Sequence, residues 1–380
     1  MSSLTPDRVR PHTGRVPELD GLRGVAVLAV VWSHAYNGVV RDERLFPGAG
    51  GVSAGGFMGV QLFFVLSGFF ITSLLMREFD ANGTVVFRRF YARRAHRLLP
   101  ALALVLVSYG VFVLAVRRGA DLRAGLGSIG RSIYLEDLDP LIGRIPSDGY
   151  LGHTWSLAVE EQFYLVWPIV FLAVSRLGVS IRRAAIVGLI VVTVVARQLM
   201  SNAGLQIYET MHWDALMSGC LLAVMRASPV ASALPAGSAG PAGLAGPVAP
   251  AGPAGPALPE TKRVLLGRLR VRAMRWVTWA AAVVFVAMTA RSPDISTTLL
   301  FLVSGAVGLA MVAGATDMAW LRWAPLRYFG RISYGLYLWH VLILHFGWPV
   351  LPSVALSVLI ADLSFRFVEQ RFLAPHTAAP

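Results

Sequence analysis

The chain has 380 residues, of which 56% are hydrophobic and only 14% are charged. Its mean hydropathy of +0.61 indicates more apolar surface than one soluble core buries, which excludes an ordinary soluble globular protein. The formal net charge of +13 would suggest nucleic-acid binding in a soluble chain. Here the basic residues fall between apolar runs, as in the cytoplasmic loops of membrane proteins. We therefore expect the lipid bilayer, and no nucleic acid, as a partner.

Apolar stretches long enough to cross a bilayer as helices recur along the whole chain. A spanning helix needs about 17 to 25 predominantly apolar residues. The sequence therefore predicts an all-α, polytopic membrane protein with about ten transmembrane helices in one bundle. These helices are predicted near residues 21–40, 56–76, 99–116, 151–175, 184–196, 214–225, 275–290, 295–315, 332–349 and 351–370.

The distribution of basic residues predicts the orientation of this bundle. If the chain starts inside, the inner segments collect 25 of the 34 Lys and Arg residues and the outer segments collect 9. Positively charged loops are retained in the cytoplasm, so both termini are predicted to be cytoplasmic. Lys262 is the only lysine, and this usage with frequent Ala, Gly and Pro is typical of a high-GC bacterium. We expect a multi-pass protein of a bacterial plasma membrane.

One low-complexity segment interrupts what is otherwise a single predicted domain covering residues 1–380. Residues 227–262 are mostly Ala, Pro, Gly, Ser and Val, and Pro and Gly prevent a regular helix there. Several of its glycines keep a three-residue register like that of collagen, but so short and interrupted a run would still need three chains. We interpret the segment as a flexible cytoplasmic linker. Cys220 is the only cysteine, which excludes a disulfide or a multi-cysteine metal site within the chain.

The first predicted helix carries two ionisable residues, Arg23 and His34. Eleven residues correspond to slightly more than three helical turns, so the two side chains share a face and lie roughly 16 Å apart along the axis. This places Arg23 at the cytoplasmic edge and His34 near the middle of the membrane. An ionisable side chain at that depth usually faces the bundle interior and has a function. A neutral histidine that hydrogen-bonds between helices is the alternative.

A basic cluster precedes the third predicted helix and includes Arg93, Arg94 and Arg97. If this segment is helical, the three side chains lie on adjacent faces one turn apart, and guanidinium groups suit phosphate oxygens. As residues of a cytoplasmic loop they need no ligand, so a topological role is the alternative. Glu160 and Glu161 lie inside the fourth predicted helix, and we expect one of them to meet a cation or His34.

Six motifs follow one another along the chain. They are Asp20-Gly21-Leu22-Arg23-Gly24 with His34 eleven residues after Arg23, Phe63-Phe64-x-x-Ser67-Gly68-Phe69, Tyr91-x-Arg93-Arg94-x-x-Arg97-x-x-Pro100, Trp155-Ser156-Leu157-x-x-Glu160-x-Gln162-Phe163-Tyr164, Ser333-Tyr334-x-x-Tyr337-Leu338-Trp339-His340 and Phe367-Val368-Glu369-Gln370-Arg371. Each motif alone is weakly specific, whereas the ordered set is highly specific. Together they resemble the motifs of the acyltransferase family 3 membrane proteins, and the likeness runs from about residue 17 to residue 372, nearly the whole chain.

The resemblance implies ten helices, an acyl-CoA donor at the cytoplasmic face and transfer to hydroxyl groups of envelope glycans or glycosylated natural products. Arg23 and His34 correspond to the arginine and histidine of the family's first-helix motif. Trp155, Ser156 and Asp214 are candidate acceptor-binding residues. Where members often have Arg-x-Asp at the start of the sixth helix, this chain has His212-Trp213-Asp214. This departure suggests either a changed acceptor or a weaker correspondence of Asp214 to the family's aspartate.

These residues suggest a mechanism of acyl transfer. His34 is the candidate general base because imidazole titrates near neutral pH. Arg23, with Arg93, Arg94 and Arg97, is expected to hold coenzyme A. Glu160 is expected to orient or charge-stabilise His34.

Alternatives to this function remain open from the sequence. We expect acyl-CoA, with acetyl the favoured group, as a donor substrate, and neither a permanently bound cofactor nor a metal ion. One alternative is a membrane transporter of a small anionic solute, because ten helices with buried ionisable residues also describe many carriers. Another alternative keeps the enzyme and replaces the envelope polymer by the sugar of a small antibiotic.

Overall fold

The computed structural model describes residues 16–39, 56–133, 149–204, 212–226, 260–290 and 297–373. Within these ranges the regular structure is helical throughout, which confirms the predicted all-α class. Eleven α-helices follow one another in the described ranges: α1 (Pro17–Val39), α2 (Gly56–Asn82), α3 (Phe87–Val116), α4 (Gly119–Ser132), α5 (Trp155–Ser175), α6 (Val179–Asn202), α7 (Trp213–Arg226), α8 (Glu260–Ala290), α9 (Thr297–Ala313), α10 (Ala324–Leu344) and α11 (Val350–Ser364).

Short non-α segments adjoin some of these helices. A 3₁₀ turn (Gly152–Thr154) leads into α5, and two more (Ala315–Asp317 and Ala319–Arg322) join α9 to α10. After α11 the chain continues through a π-helical turn (Phe365–Glu369) into a last α-helical turn (Gln370–Leu373). Single π-helical turns are rare and often accompany functional sites.

Each of the ten predicted helices overlaps one helix of the structure. Helix α4 was not predicted, because its polar and charged residues alternate with apolar ones over only 14 positions and do not resemble a membrane span. Helix α3 begins at Phe87 rather than near residue 99, so the basic cluster lies on the helix itself. Residues 227–259 of the predicted linker lie outside the described residues, and α8 begins at Glu260.

Apolar side chains cover the outside of the bundle. Large examples with more than 60% exposure occur on α3, α5, α6 and α8, among them Val107, Leu165, Val192 and Val283. A soluble protein rarely exposes so much contiguous apolar surface, whereas lipid solvates it favourably. The chain is therefore an integral, polytopic membrane protein.

Among the described residues, five helical segments are both long and apolar enough to be candidate membrane spans. They are Gly56–Asn82, Phe87–Val116, Gly152–Ser175, Val179–Asn202 and Val350–Phe372. Helices α1 and α10 carry more polar residues, including Asp20, Arg23 and His340. Most of the described side chains of α1 and α10 are buried or half-buried in the bundle, so these helices need less apolar surface toward lipid. The ten-helix topology itself remains a prediction.

Glycines allow the central helices to touch backbone to backbone. A Cβ on Gly24 of α1 would overlap the carbonyl of Leu326 in α10, and one on Gly68 of α2 would overlap the carbonyl of Leu216 in α7. Small residues at membrane helix interfaces permit this close approach. The α1–α10 and α2–α7 contacts hold Arg23, Ser67 and their neighbours around the space between the helices.

Candidate active site

A narrow space between α1, α2, α3, α5 and α10 forms the inner cavity, with a volume of about 80 Å³. Its polar lining comes from residues of different helices, so only the folded bundle creates it. Arg23, Arg94 and Arg97 contribute positive charge, whereas Ser67, Ser156 and Glu160 contribute hydroxyl and carboxyl groups. Tyrosines and phenylalanines supply most of the remaining wall.

A second space, the wide cavity of about 950 Å³, adjoins the inner cavity. The two share Arg23, Arg94, Arg97, Phe70 and Tyr334, so these side chains stand between two neighbouring cavities. Six arginines line the wide cavity together with the acidic residues Asp20 and Glu369, and they are Arg23, Arg77, Arg94, Arg97, Arg226 and Arg331.

These six arginines lie at the same end of the bundle, near the starts of α1, α3 and α10 and the ends of α2 and α7. All of these helix ends are predicted to be cytoplasmic. Arginines in such number suit a ligand with several negative charges.

The structure divides the predicted arginine cluster into two faces of α3. Arg94 and Arg97, three residues apart, line both cavities, and the Arg94 guanidinium lies 5.0 Å from the centre of the Tyr164 ring. The Arg93 side chain is 45% exposed and forms a salt bridge of 3.1 Å with Glu78 of α2. Arg93 is absent from the lining of either described cavity. Arg94 and Arg97 are therefore the members of the cluster positioned to meet a ligand.

Glu160 of α5 lies in the wall of the inner cavity. The hydroxyl of Ser67 donates a hydrogen bond to its Oε1 at 2.8 Å, and the hydroxyl of Tyr164 faces its Oε2 at 3.3 Å. Ser67 belongs to α2, so this bond joins two helices of the cavity wall. The described contacts of Glu160 thus lie among hydroxyl groups and near Arg94, whereas His34 has a different set of partners.

Three histidines from distant parts of the chain meet beyond the inner cavity, and we call them the histidine cluster. His34 lies on α1, His153 on the 3₁₀ turn before α5, and His340 on α10. Nε2 of His340 is 3.2 Å from Nδ1 of His34, and the His153 and His340 ring centres are 5.4 Å apart. In the described part of the chain, no three His, Cys, Asp or Glu side chains converge in a metal-binding arrangement.

Tyr337 joins the inner cavity to the histidine cluster. Its hydroxyl donates to the His153 carbonyl at 2.7 Å and lies 2.6 Å from Oγ of Ser156. Its ring centre lies 5.7 Å from that of His340. Tyr337 and Ser156 both line the inner cavity. A group at the inner end of this cavity therefore lies one side chain away from the histidines.

Asp214 takes part in a separate buried group, which we call the ion-pair cluster: Gln61, Arg197, His212 and Asp214. Nη2 of Arg197 is 2.5 Å from Oδ2 of Asp214, and the two side chains are 0% and 6% exposed. Nε2 of Gln61 lies 2.7 Å from Nδ1 of His212. The sequence drew attention to His212 in place of an arginine, and the structure pairs Asp214 with an arginine from α6 instead.

The three predicted acceptor-binding residues lie in two neighbouring places. Ser156 lines the inner cavity, whereas Asp214 is in the ion-pair cluster. Trp155 packs against that cluster, with its ring centre 5.1 Å from His212 and 6.2 Å from Phe64.

Sequence reasoning assigned no role to four residues that the structure brings to these sites: His153, Arg197, Tyr337 and His340. His340 and Tyr337 were visible as members of a motif, and His153 adjoins the Trp155 motif. An intramembrane arginine such as Arg197 is itself a signal, because a buried charge is costly without a partner.

The fold and the two cavities define a polytopic membrane protein with a positively charged entrance that leads to buried hydroxyl groups and imidazoles. The family model described as an acyltransferase domain matches residues 16–367. The chain therefore belongs to acyltransferase family 3, as the motifs predicted.

Curated relatives of this chain are named as O-acetyltransferases or putative O-acetyltransferases of bacteria. The peptidoglycan O-acetyltransferase OatA of Listeria monocytogenes is 29% identical, over 93% of this chain and 55% of its own length. A putative peptidoglycan O-acetyltransferase of Bacillus subtilis is 28% identical, over 94% and 55%. A putative O-acetyltransferase of Staphylococcus aureus is 26% identical, over 94% and 57%. The chain thus spans little more than half the length of these relatives. No solved structure matches it.

Proposed function

We propose that this chain is a membrane O-acyltransferase that moves an acetyl group from acetyl-CoA to a hydroxyl of an envelope glycan such as peptidoglycan. The observation that carries the proposal is the adjacency of two cavities. One is lined by six arginines, the other reaches Tyr337 beside the histidine cluster, and Arg23, Arg94 and Arg97 line both. Family membership and the names of the relatives support acyl transfer over the alternative of a transporter of anionic solutes.

The donor is proposed to enter at the arginine-lined end, which is cytoplasmic in the predicted orientation. Coenzyme A carries a pyrophosphate and a 3′-phosphate at one end and a thin pantetheine arm at the other. The phosphates suit the arginines of the wide cavity, because guanidinium groups form paired hydrogen bonds with phosphate oxygens. The arm suits the narrow inner cavity, so the thioester would approach Ser156 and Tyr337.

His34 is proposed to act as the general base. The oxygen of the acceptor hydroxyl attacks the thioester carbonyl carbon while His34 takes the hydroxyl proton. The C–S bond then breaks, and the thiolate receives that proton from the imidazolium, which yields an ester and free coenzyme A. Glu160 is proposed to order Ser67 and Tyr164 and to balance the charge of Arg94. Trp155 and Ser156 are proposed to face the acceptor.

The test is acetyl transfer by the purified protein in liposomes, with acetyl-CoA as donor and a muropeptide as acceptor. The free thiol and the acetylated glycan, detected by mass spectrometry, should form in equal amounts. His34→Gln should bind acetyl-CoA normally and lose at least about a hundredfold in turnover, because a general base typically contributes that much. His96→Gln, a change at an exposed histidine of α3, should leave turnover near the wild-type rate.

Two results would contradict the proposal in different ways. Passage of labelled solute across the liposome membrane without ester formation would favour the transporter. Near-wild-type turnover in folded His34→Gln protein would remove the base from His34 and leave Glu160 or Glu161 as the next candidate.

A further inference from the structure

His340 is a fully buried imidazole of α10 that lies against His34. Its Nδ1 is 3.0 Å from the carbonyl oxygen of Leu336, one turn earlier on the same helix. Its Nε2 is 3.2 Å from Nδ1 of His34. Both ring nitrogens of His340 therefore have defined neighbours, and those neighbours determine where its proton lies.

A carbonyl oxygen can only accept a hydrogen bond, so Nδ1 of His340 must carry the proton that it donates to Leu336. In a neutral imidazole one nitrogen carries a proton and the other carries a lone pair. Neutral His340 therefore presents the lone pair of Nε2 to His34.

The same reasoning then applies to His34. Its Nδ1 faces two acceptors, the lone pair of His340 at 3.2 Å and the carbonyl oxygen of Val30 at 3.0 Å. A lone pair on Nδ1 would be repelled by both, so Nδ1 must carry the proton and donate it. Nε2 of His34 is then the nitrogen with the free lone pair, which is the nitrogen that can accept a proton.

We propose that His340 is the positioning residue for His34: it selects the tautomer in which Nε2 of His34 is the base and stabilises the imidazolium that forms when that base takes a proton. This inference rests on the proposed function, in which His34 removes the acceptor proton. Hydrogen-bond partners of this kind commonly fix the tautomer and orientation of a functional histidine. The carbonyl of Leu336 fixes the proton on Nδ1 of His340, because a backbone carbonyl oxygen can only accept a hydrogen bond.

The described ionisable side chains around the pair include His153, Tyr337 and His345. His153 faces His34 with ring centres 6.5 Å apart, Tyr337 lies on the same helix as His340, and His345 is the C-cap of that helix. His345 makes the same local bond as His340, from Nδ1 to the Val341 carbonyl at 2.8 Å. Its ring packs on Tyr150, with centres 4.6 Å apart. His345 is therefore a matched control that shares the helix and the backbone bond.

The test compares three variants by their kcat and KM for acetyl-CoA in the liposome assay. His340→Phe keeps a planar ring and removes the acceptor, so kcat should fall by about tenfold to a hundredfold with KM unchanged. His340→Gln can place its amide oxygen where Nε2 was, so it should recover a large part of that loss. His345→Phe should leave kcat within about twofold, because it changes neither hydrogen-bond partner of His34.

A spectroscopic measurement on the unaltered protein tests the inference without relying on how the His340 variants fold. In protein labelled with ¹⁵N-histidine, the resonance lost in His34→Gln identifies His34. That residue should show a protonated Nδ1 and an unprotonated Nε2. The opposite tautomer would overturn the inference. So would wild-type kcat in His340→Phe, or a His340→Gln variant no better than His340→Phe.

The variants also separate the inference from the proposed function. If His34→Gln is inactive while His340→Phe turns over normally, His34 remains the base and His340 is not its positioning residue. If His34→Gln is active, the proposed function itself fails, whatever His340 does.

Discussion

Arg197 differs from Arg94 and Arg97 in what its guanidinium group meets. Arg197 is fully buried and bound to Asp214, with the ring of Phe301 5.2 Å away. Arg94 and Arg97 are only half-buried, and they line two neighbouring cavities. A charge neutralised within the protein contributes to holding helices together, whereas a charge directed into a cavity is available to a ligand.

The difference between pairing within the protein and lining a cavity distinguishes residues that the sequence motifs assigned to the same kind of role. Asp214 was predicted to bind the acceptor, yet its partner is an arginine of the neighbouring helix. Arg93 was predicted to bind coenzyme A, yet its partner is Glu78 near the end of α2. The following predictions test whether pairing within the protein, rather than membership of a motif, decides which ionisable residues act on ligands.

The largest expected effect is on the stability of the ion-pair cluster. Asp214→Ala leaves the Arg197 charge buried without its partner, which should cost about 3 to 5 kcal/mol of unfolding free energy. Thermal denaturation in detergent should show a clear fall in Tm for this variant. The double variant Asp214→Ala with Arg197→Met removes both charges and should recover much of the loss. If Asp214→Ala instead keeps its Tm and only raises KM for the glycan, Asp214 is an acceptor contact.

The next effect concerns the two faces of α3. Arg94→Ala should raise KM for acetyl-CoA by about tenfold or more, because a hydrogen bond to a charged group contributes about 1.5 to 3 kcal/mol. Arg93→Ala is the matched control and should change that KM by less than about twofold, since Arg93 pairs with Glu78 and lines neither described cavity. Arg94→Lys should recover only part of the affinity, because an ammonium group cannot form the paired bonds of a guanidinium. Equal effects at the two positions would remove the distinction between the faces.

Helical periodicity explains what could be predicted within a single element. The spacing of Arg23 and His34 on one helix, and that of Arg94 and Arg97 on another, follows from the fixed rotation per residue. The apolar runs predicted most helices because lipid requires long apolar segments. Helix α4 was missed because its 14 residues lack such a run.

Contacts between elements could not be predicted in the same way. His34 and His340 are separated by 306 positions, and no periodicity relates α1 to α10. Their meeting depends on the close approach of the two helices at Gly24, which only the folded chain reveals. Arg197 of α6 pairs with Asp214 of α7, a contact between two helices that spacing does not predict. The expectation that Glu160 would orient His34 also concerned two different helices, and spacing could not show which side chains meet. Residue types indicated which groups need partners, and the packing determined which partners they have.

The smallest expected effect is at the rim of the wide cavity, where Arg331 is exposed. If the rim meets the 3′-phosphate of coenzyme A, Arg331→Ala should raise KM for acetyl-CoA by about twofold to fivefold, since an exposed charge pair contributes at most about 1 kcal/mol. The same change should have little effect on KM for acetyl-dephospho-CoA, which lacks that phosphate.

Arg327→Ala is the matched control for this prediction, because Arg327 is an exposed arginine of the same helix and is not part of the cavity lining. The preference for acetyl-CoA over acetyl-dephospho-CoA should shrink in Arg331→Ala and persist in Arg327→Ala. Added salt should also reduce it in the wild-type protein, because exposed charges are screened over a Debye length of about 10 Å at 0.1 M salt. If Arg331→Ala weakens both donors equally, the rim attracts anions in general, and recognition of the donor begins deeper, at Arg23, Arg94 and Arg97.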